Sequence, residues 1–155
     1  MSTLSALLLA ADVARRQRDA ASQAVAQAEQ LQLAAQAQLD QLAIYARETE
    51  HRWTLQGPLA AKTPELMRHH YQFLARLDHA ITMQQAVVAE RQAGVAAARA
   101  ERRAIELRLT SLEKMCEKRR AEALGRQWRK EQREVDEIAA LQHRNASNPY
   151  FGGRD

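Results

Sequence analysis

The sequence predicts an all-α fold: a long two-helix antiparallel coiled-coil hairpin, with the second helix overhanging the first. Three observations carry this. Leu4, Leu7, Ala11, Ala14, Arg18, Ala21, Val25, Ala28, Gln32, Ala35, Leu39, Leu42, Ala46, Thr49 and Trp53 alternate steps of three and four, and twelve of the fifteen are apolar. The series resumes as Met67, His70, Leu74, Leu77, Ile81, Gln84, Val88, Arg91, Val95, Ala98, Arg102, Ile105, Leu109, Leu112 and Cys116, with eleven of fifteen apolar. Between them lies one Pro/Gly break, Gln56 to Pro64. A repeat of 3.5 residues keeps a narrow apolar seam facing one partner helix, so two such seams joined by a short turn bury each other.

The first helix is expected over residues 3–56, with Ser2 or Thr3 as its N-cap. Gly57-Pro58 ends it, because glycine suits a left-handed C-cap and proline cannot continue the hydrogen-bond ladder. The turn covers 57–63. The second helix, 64–143, starts on a capping Thr63, a Pro64 whose missing N–H costs nothing at the first position, and a Glu65 facing the positive helix end. Residues 145–155 read as a flexible C-terminal tail, leaving 1–144 as the hairpin domain.

At 1.5 Å per residue the helices span roughly 80 Å and 120 Å. Folding about the turn sets residue i opposite about residue 120 − i, so Leu4 faces Cys116 and everything beyond Cys116 lacks an intramolecular partner. From Glu117 to Glu137 seven basic and six acidic residues surround the widely spaced Leu124, Trp128 and Val135. The same rule sets Arg91 against Glu29 and Arg18 against Arg102. The two arginines must snorkel on their aliphatic stems or shift the register, and local splaying is expected there.

Composition agrees with long solvated helices rather than a wide core: 27% charged residues and only 5% aromatic. The single Cys116 precludes an intramolecular disulfide and fits a reducing compartment. Leu7-Leu8-Leu9-Ala10-Ala11 is too short for a membrane span and lacks the basic lead of a signal peptide, so a cytoplasmic location is expected.

No phosphate-binding loop, catalytic triad or metal cluster is present in the sequence. The five histidines, His51, His69, His70, His79 and His143, never fall at i, i+4. Solvated or seam-edge roles suit them better than metal ligation, which needs several converging donors. Cys116 reads as a small buried seam residue. The expected protein is not an enzyme and holds no cofactor, catalytic residue or metal. A net charge of +4 permits an acidic partner, but acidic residues interleave with the basic ones of the overhang, which speaks against nucleic acid.

Two stretches stand out as contact surfaces. Tyr45, Trp53, Tyr71 and Phe73 concentrate the few aromatics near the turn, either filling space where the helices part or offering interface anchors. Trp128, with Val135, Ile138 and Leu141, lies on the helix that no intramolecular core reaches.

Three segments carry a family resemblance: Gln38-Leu-Asp-Gln-Leu-Ala-Ile-Tyr45, Tyr71-Gln-Phe-Leu-Ala-Arg-Leu-Asp-His-Ala-Ile81 and Glu131-Gln-Arg-Glu-Val-Asp-Glu-Ile-Ala139. In order and separation they resemble the flagellar export protein FliJ family across residues 1–144. The resemblance implies an antiparallel coiled-coil stalk of the flagellar type III export apparatus, similar to the stalk of rotary ATPases. Its implied partners are a hexameric export ATPase (FliI-like), whose ring it helps assemble, an export gate protein (FlhA-like) and export chaperones. It implies a cytoplasmic protein, peripheral at the inner-membrane export apparatus through its partners and monomeric when free. The gate-binding surface carries over to Gln38, Leu42, Tyr45, Phe73, Leu77 and Ala80. Thr49 and Gln84 depart from it, standing where an aromatic and a histidine occur. The implied ATPase contacts are the paired termini and the overhang: Leu4, Leu7, Trp128, Arg129, Val135 and Ile138. The alternatives are the equivalent stalk of a virulence injectisome and a coiled-coil scaffold without an ATPase partner.

Overall fold

A computed structural model of the chain describes residues 2–148. It is all-α: helix α1 is Thr3–Leu55 and helix α2 is Pro64–Ala146, joined by a turn that holds one 3-10 segment, Leu59–Ala61. The two long helices pack against each other as a helical hairpin. Their ends follow the local chemistry of the sequence. Ser2 caps α1, its Oγ accepting from the Ser5 N–H at 3.2 Å. Thr63 caps α2 in the same way, accepting from the Leu66 N–H at 3.2 Å, with Pro64 as first helical residue. Gly57 adopts φ +111°, a backbone region that side chains disfavour, and the chain reverses there. α2 runs three residues past the expected end; of the expected tail, 149–155 lie outside the described residues.

Packing falls into two units. One is Arg15–Leu107 and contains the turn. Its seam is built from Ala21, Val25 and Ala35 on α1 and Leu77, Val88, Val95 and Ile105 on α2, all buried. The helices run antiparallel, as cross-helix contacts at falling α1 and rising α2 numbers show: Tyr45 with Phe73, Ala35 with Gln84, Glu29 with Arg99. The other unit joins the chain through Ala14 to the chain from Arg108 onward. There Ala11, Ala14 and Leu109 form a small buried cluster with Leu112 packed against it, and Cys116 is buried with a free thiol.

Every seam position expected on α1 is buried or half-buried, and so is every one on α2 except Arg91, which is exposed. Arg91 does not meet Glu29 either: the partner of Glu29 is Arg99, Nη2 to Oε1 at 2.9 Å. The reason is directional. Side chains lean toward the N-terminus of their own helix, so in an antiparallel pair Glu29 and Arg99 lean toward each other, while Arg91 leans away.

The arginine layer takes the snorkelling alternative. Arg18 donates through Nε and Nη2 to Asp19 Oδ1 at 3.2 and 3.1 Å. Arg102 turns toward Glu106 on its own helix, 3.8 Å away, leaving its buried Nε without a hydrogen bond. Ala21 and Ile105 beside them stay buried, so the seam remains closed in place of the expected splaying.

Candidate interaction surfaces

Near the turn, Trp53 on the last turns of α1 lies flat on His70 of α2, ring centroids 3.8 Å apart and planes 2° from parallel. Lys62 closes the arrangement: its Nζ sits 3.8 Å from the centroid of the Trp53 ring and donates to the Trp53 carbonyl at 2.6 Å. One cation thus adds a second hydrogen bond to a carbonyl at the end of α1 that also accepts from the Gln56 N–H at 3.3 Å, and it meets the π face of the ring. Trp53 and His70 are therefore occupied in holding the turn.

Two shallow grooves flank the next turns. One, about 400 Å³, is lined by Gln38, Gln41, Leu42, Tyr45 and Gln84. The other, about 210 Å³, is lined by Tyr45, Thr49, Arg52, Trp53, Gln56 and His70. Tyr45 divides them, half exposed, its ring edge-on to Phe73 at 6.0 Å. Gln84 crosses between the helices, donating Nε2 to the Ala35 carbonyl at 2.9 Å and to Gln38 Oε1 at 3.2 Å. A polar seam residue with satisfied bonds holds the register and supplies the groove wall. Thr49 turns its hydroxyl back to the Tyr45 carbonyl at 2.8 Å, a small side chain bonded to its own helix.

Of the six residues expected at a gate-binding surface, Gln38 and Tyr45 are exposed, and Leu42, Phe73 and Ala80 are half-buried. Leu77 is 8% exposed and belongs to the core. Residue types and spacing alone did not separate Leu77 from the others, since it satisfies the seam and the patch equally. The Lys62 bridge was missed altogether, because nothing in the spacing of a turn lysine says which carbonyl it reaches.

The second surface lies in the unit containing the chain from Arg108 onward. Leu4 and Leu7 are half-buried, while Arg129 is exposed. The last α2 residues with reduced exposure are Ala123 and Gly125; from Arg126 through Asn148 every residue is exposed. Leu124, Trp128, Val135, Ile138 and Leu141 stand 52–66% exposed along this stretch. A tryptophan in water on a charged helix leaves a large apolar area uncovered, which interface anchors do and core residues do not.

Among the described residues, no three His, Cys, Asp or Glu side chains converge as a metal site, and no helix is long and apolar enough to cross a membrane.

No curated protein matches the chain significantly, and no solved structure does. The family model for the flagellar FliJ protein matches residues 3–148, which takes in both helices, the turn and both surfaces. The paired seams, the proline turn and the bare end of α2 lie within that match, and the chain belongs to the flagellar FliJ protein family.

Proposed function

We propose that the protein is a stalk and adaptor of the flagellar type III export apparatus, binding a hexameric export ATPase through the end of α2 and an export gate protein through the grooves near the turn. Family membership supports a role in flagellar export in general. The observation that carries the finer reading is the uncovered stretch of α2, where Trp128, Val135 and Ile138 are 66, 60 and 56% exposed in the free chain. A ring-shaped ATPase that covers these residues together with Arg129, Leu4 and Leu7 gains apolar burial that the hairpin itself does not supply. Because such a ligand favours the assembled ring over separate subunits, binding shifts assembly by mass action. The chain does no chemistry in this scheme; it stabilises an assembly and presents a second surface.

That second surface is the pair of grooves around Tyr45, with Gln38, Leu42, Phe73 and Ala80 in reach of a partner and Leu77 supporting them from the core. Unloaded export chaperones are the third class of partner in this reading. A location at the inner-membrane export apparatus follows in this reading from the partners.

The test is co-purification with the candidate export ATPase while hydrolysis is measured with and without the chain. Trp128→Ala with Ile138→Ala is expected to abolish stimulation and keep gate binding. Gln38→Ala with Tyr45→Ala is expected to do the reverse. Loss of both activities in each double variant, with normal helicity, contradicts the division of labour. A chain that neither binds nor stimulates the flagellar ATPase but acts on an injectisome ATPase moves the stalk to that system.

A further inference from the structure

The two grooves that meet at Tyr45 differ in chemistry. Leu42 and the Tyr45 ring give the larger one its apolar wall. Arg52, Gln56 and His70 line the smaller one beside Tyr45, and no carboxylate does. Arg52 only donates, and Tyr45, Gln56 and His70 can each donate. The side chains of Tyr45, Gln56 and His70 enter no hydrogen bond among the described residues. Arg52 meets Glu48 at 3.6 Å, with the two side chains 64 and 60% exposed, a pairing worth little in water.

Charge divides by flank. Each residue turns an α-helix by about 100°, so a residue one step before a seam position lies on one flank and one step after on the other. Tyr45, Arg52 and Phe73 precede the seam residues Ala46, Trp53 and Leu74, which marks theirs as the groove flank. Among such preceding positions Arg52 and Arg76 stand against Glu48 alone. Among the following ones Arg47 and Arg68 stand against Asp40, Glu50 and Asp78. Arg76 is exposed and enters no ion pair among the described residues. The groove flank is positive and the opposite flank negative.

We infer that the two grooves together hold one acidic segment of a partner protein, its large apolar side chain beside Leu42 and its carboxylate on Arg52. Ten residues separate Leu42 from Arg52 along α1, an axial distance of about 15 Å. An extended chain covers that in about four or five residues, which sets the spacing between the apolar and the acidic residue of the segment. The carboxylate accepts two parallel bonds from the guanidinium and draws Arg52 away from its loose contact with Glu48. Gln56 and His70 offer further donors to its remaining lone pairs. The inference rests on the reading of these grooves as the gate-binding surface and adds the chemistry of what enters them.

The test is calorimetric titration of the full-length chain with the purified export gate protein, with helicity followed by circular dichroism. The wild-type chain is expected to bind with an affinity that falls as salt rises. Arg52→Glu is expected to weaken binding about tenfold or more, and Arg52→Gln about threefold with a flatter salt dependence. Arg68→Glu makes the same change of charge on the opposite flank and is expected to stay within about twofold of wild type. Glu48→Gln, which releases Arg52 without altering a groove-lining residue, is expected to keep or tighten binding. Three results overturn the inference alone: binding that Gln38→Ala with Tyr45→Ala weakens but Arg52→Glu does not, equal losses in Arg52→Glu and Arg68→Glu, or a Glu48→Gln chain as weak as Arg52→Gln. The last would confine Arg52 to its own ion pair. A wild-type chain that does not bind the gate protein removes the gate contact of the proposed function, and this inference with it.

Discussion

Two stretches of α2 carry the same kind of sequence and meet opposite fates. Between Leu77 and Ile105 the inward positions mix apolar residues with Gln84, Arg91 and Arg102, and Leu77, Val88, Val95 and Ile105 are 3–9% exposed. Between Leu124 and Leu141 a second apolar stripe, Leu124, Trp128, Val135, Ile138 and Leu141, with side chains as large or larger, is 52–66% exposed. Hydrophobicity does not separate the two. What separates them is that α1 supplies a facing stripe to the first stretch, and Arg126–Asn148 has none in its own packed unit. Burial on a two-helix seam is therefore a property of the partner. A stripe that the chain leaves uncovered marks a place for another molecule.

The comparison is broken or sharpened by substitution. The largest contrast is expected between Leu77→Ala and Ile138→Ala. The first opens a cavity in the seam and should cost about 2–5 kcal/mol; the second, in dilute chain, should stay within about 0.5 kcal/mol of wild type, as surface changes do. Thermal unfolding followed by circular dichroism reads both, and equal losses would place the end of α2 in a core. Next comes the arginine layer. Arg102→Leu removes a buried Nε that has no hydrogen bond and is expected to stabilise by about 1–3 kcal/mol in denaturant titration. Destabilisation there would show that the guanidinium contributes more through Glu106 than its buried atom costs.

The turn gives smaller effects. Gly57→Ala forces a Cβ into a positive-φ conformation and should cost about 1–2 kcal/mol. Lys62→Met keeps the aliphatic stem and loses the bond to the Trp53 carbonyl, with an expected cost of about 1 kcal/mol and a change in Trp53 fluorescence. Neither should alter the melting of the unit that holds Leu109 and Cys116 as much as that of the turn.

Most of the fold was legible in the sequence because a narrow seam is a one-dimensional object. Steps of three and four specify which residues face inward, and every expected α1 position is at least half-buried. Caps at Ser2 and Thr63 were legible for the same local reason. What escaped involved long side chains that reach past their own position. Arg91 was placed by opposition alone, whereas lean along the helix axis gives Glu29 to Arg99. Lys62 reaches back nine residues to Trp53, a contact that depends on the shape of the turn. Of the candidate surfaces, the α2 stretch was readable because nothing on α1 remains to face it. The groove by Tyr45 was readable only in part, since spacing cannot decide whether Leu77 supports the patch from below or belongs to its face.

Amide hydrogen exchange on the dilute chain, alone and with the export ATPase, tests the central claim most directly. An unpartnered helix of about twenty residues is marginal in water, so amides of 126–146 are expected to exchange rapidly in the free chain while those around Val25, Val88 and Val95 are protected, and to gain protection when the ATPase is added. Protection of 126–146 in the dilute chain equal to that of the seam, or protection by the ATPase confined to the region of the turn, would contradict the account.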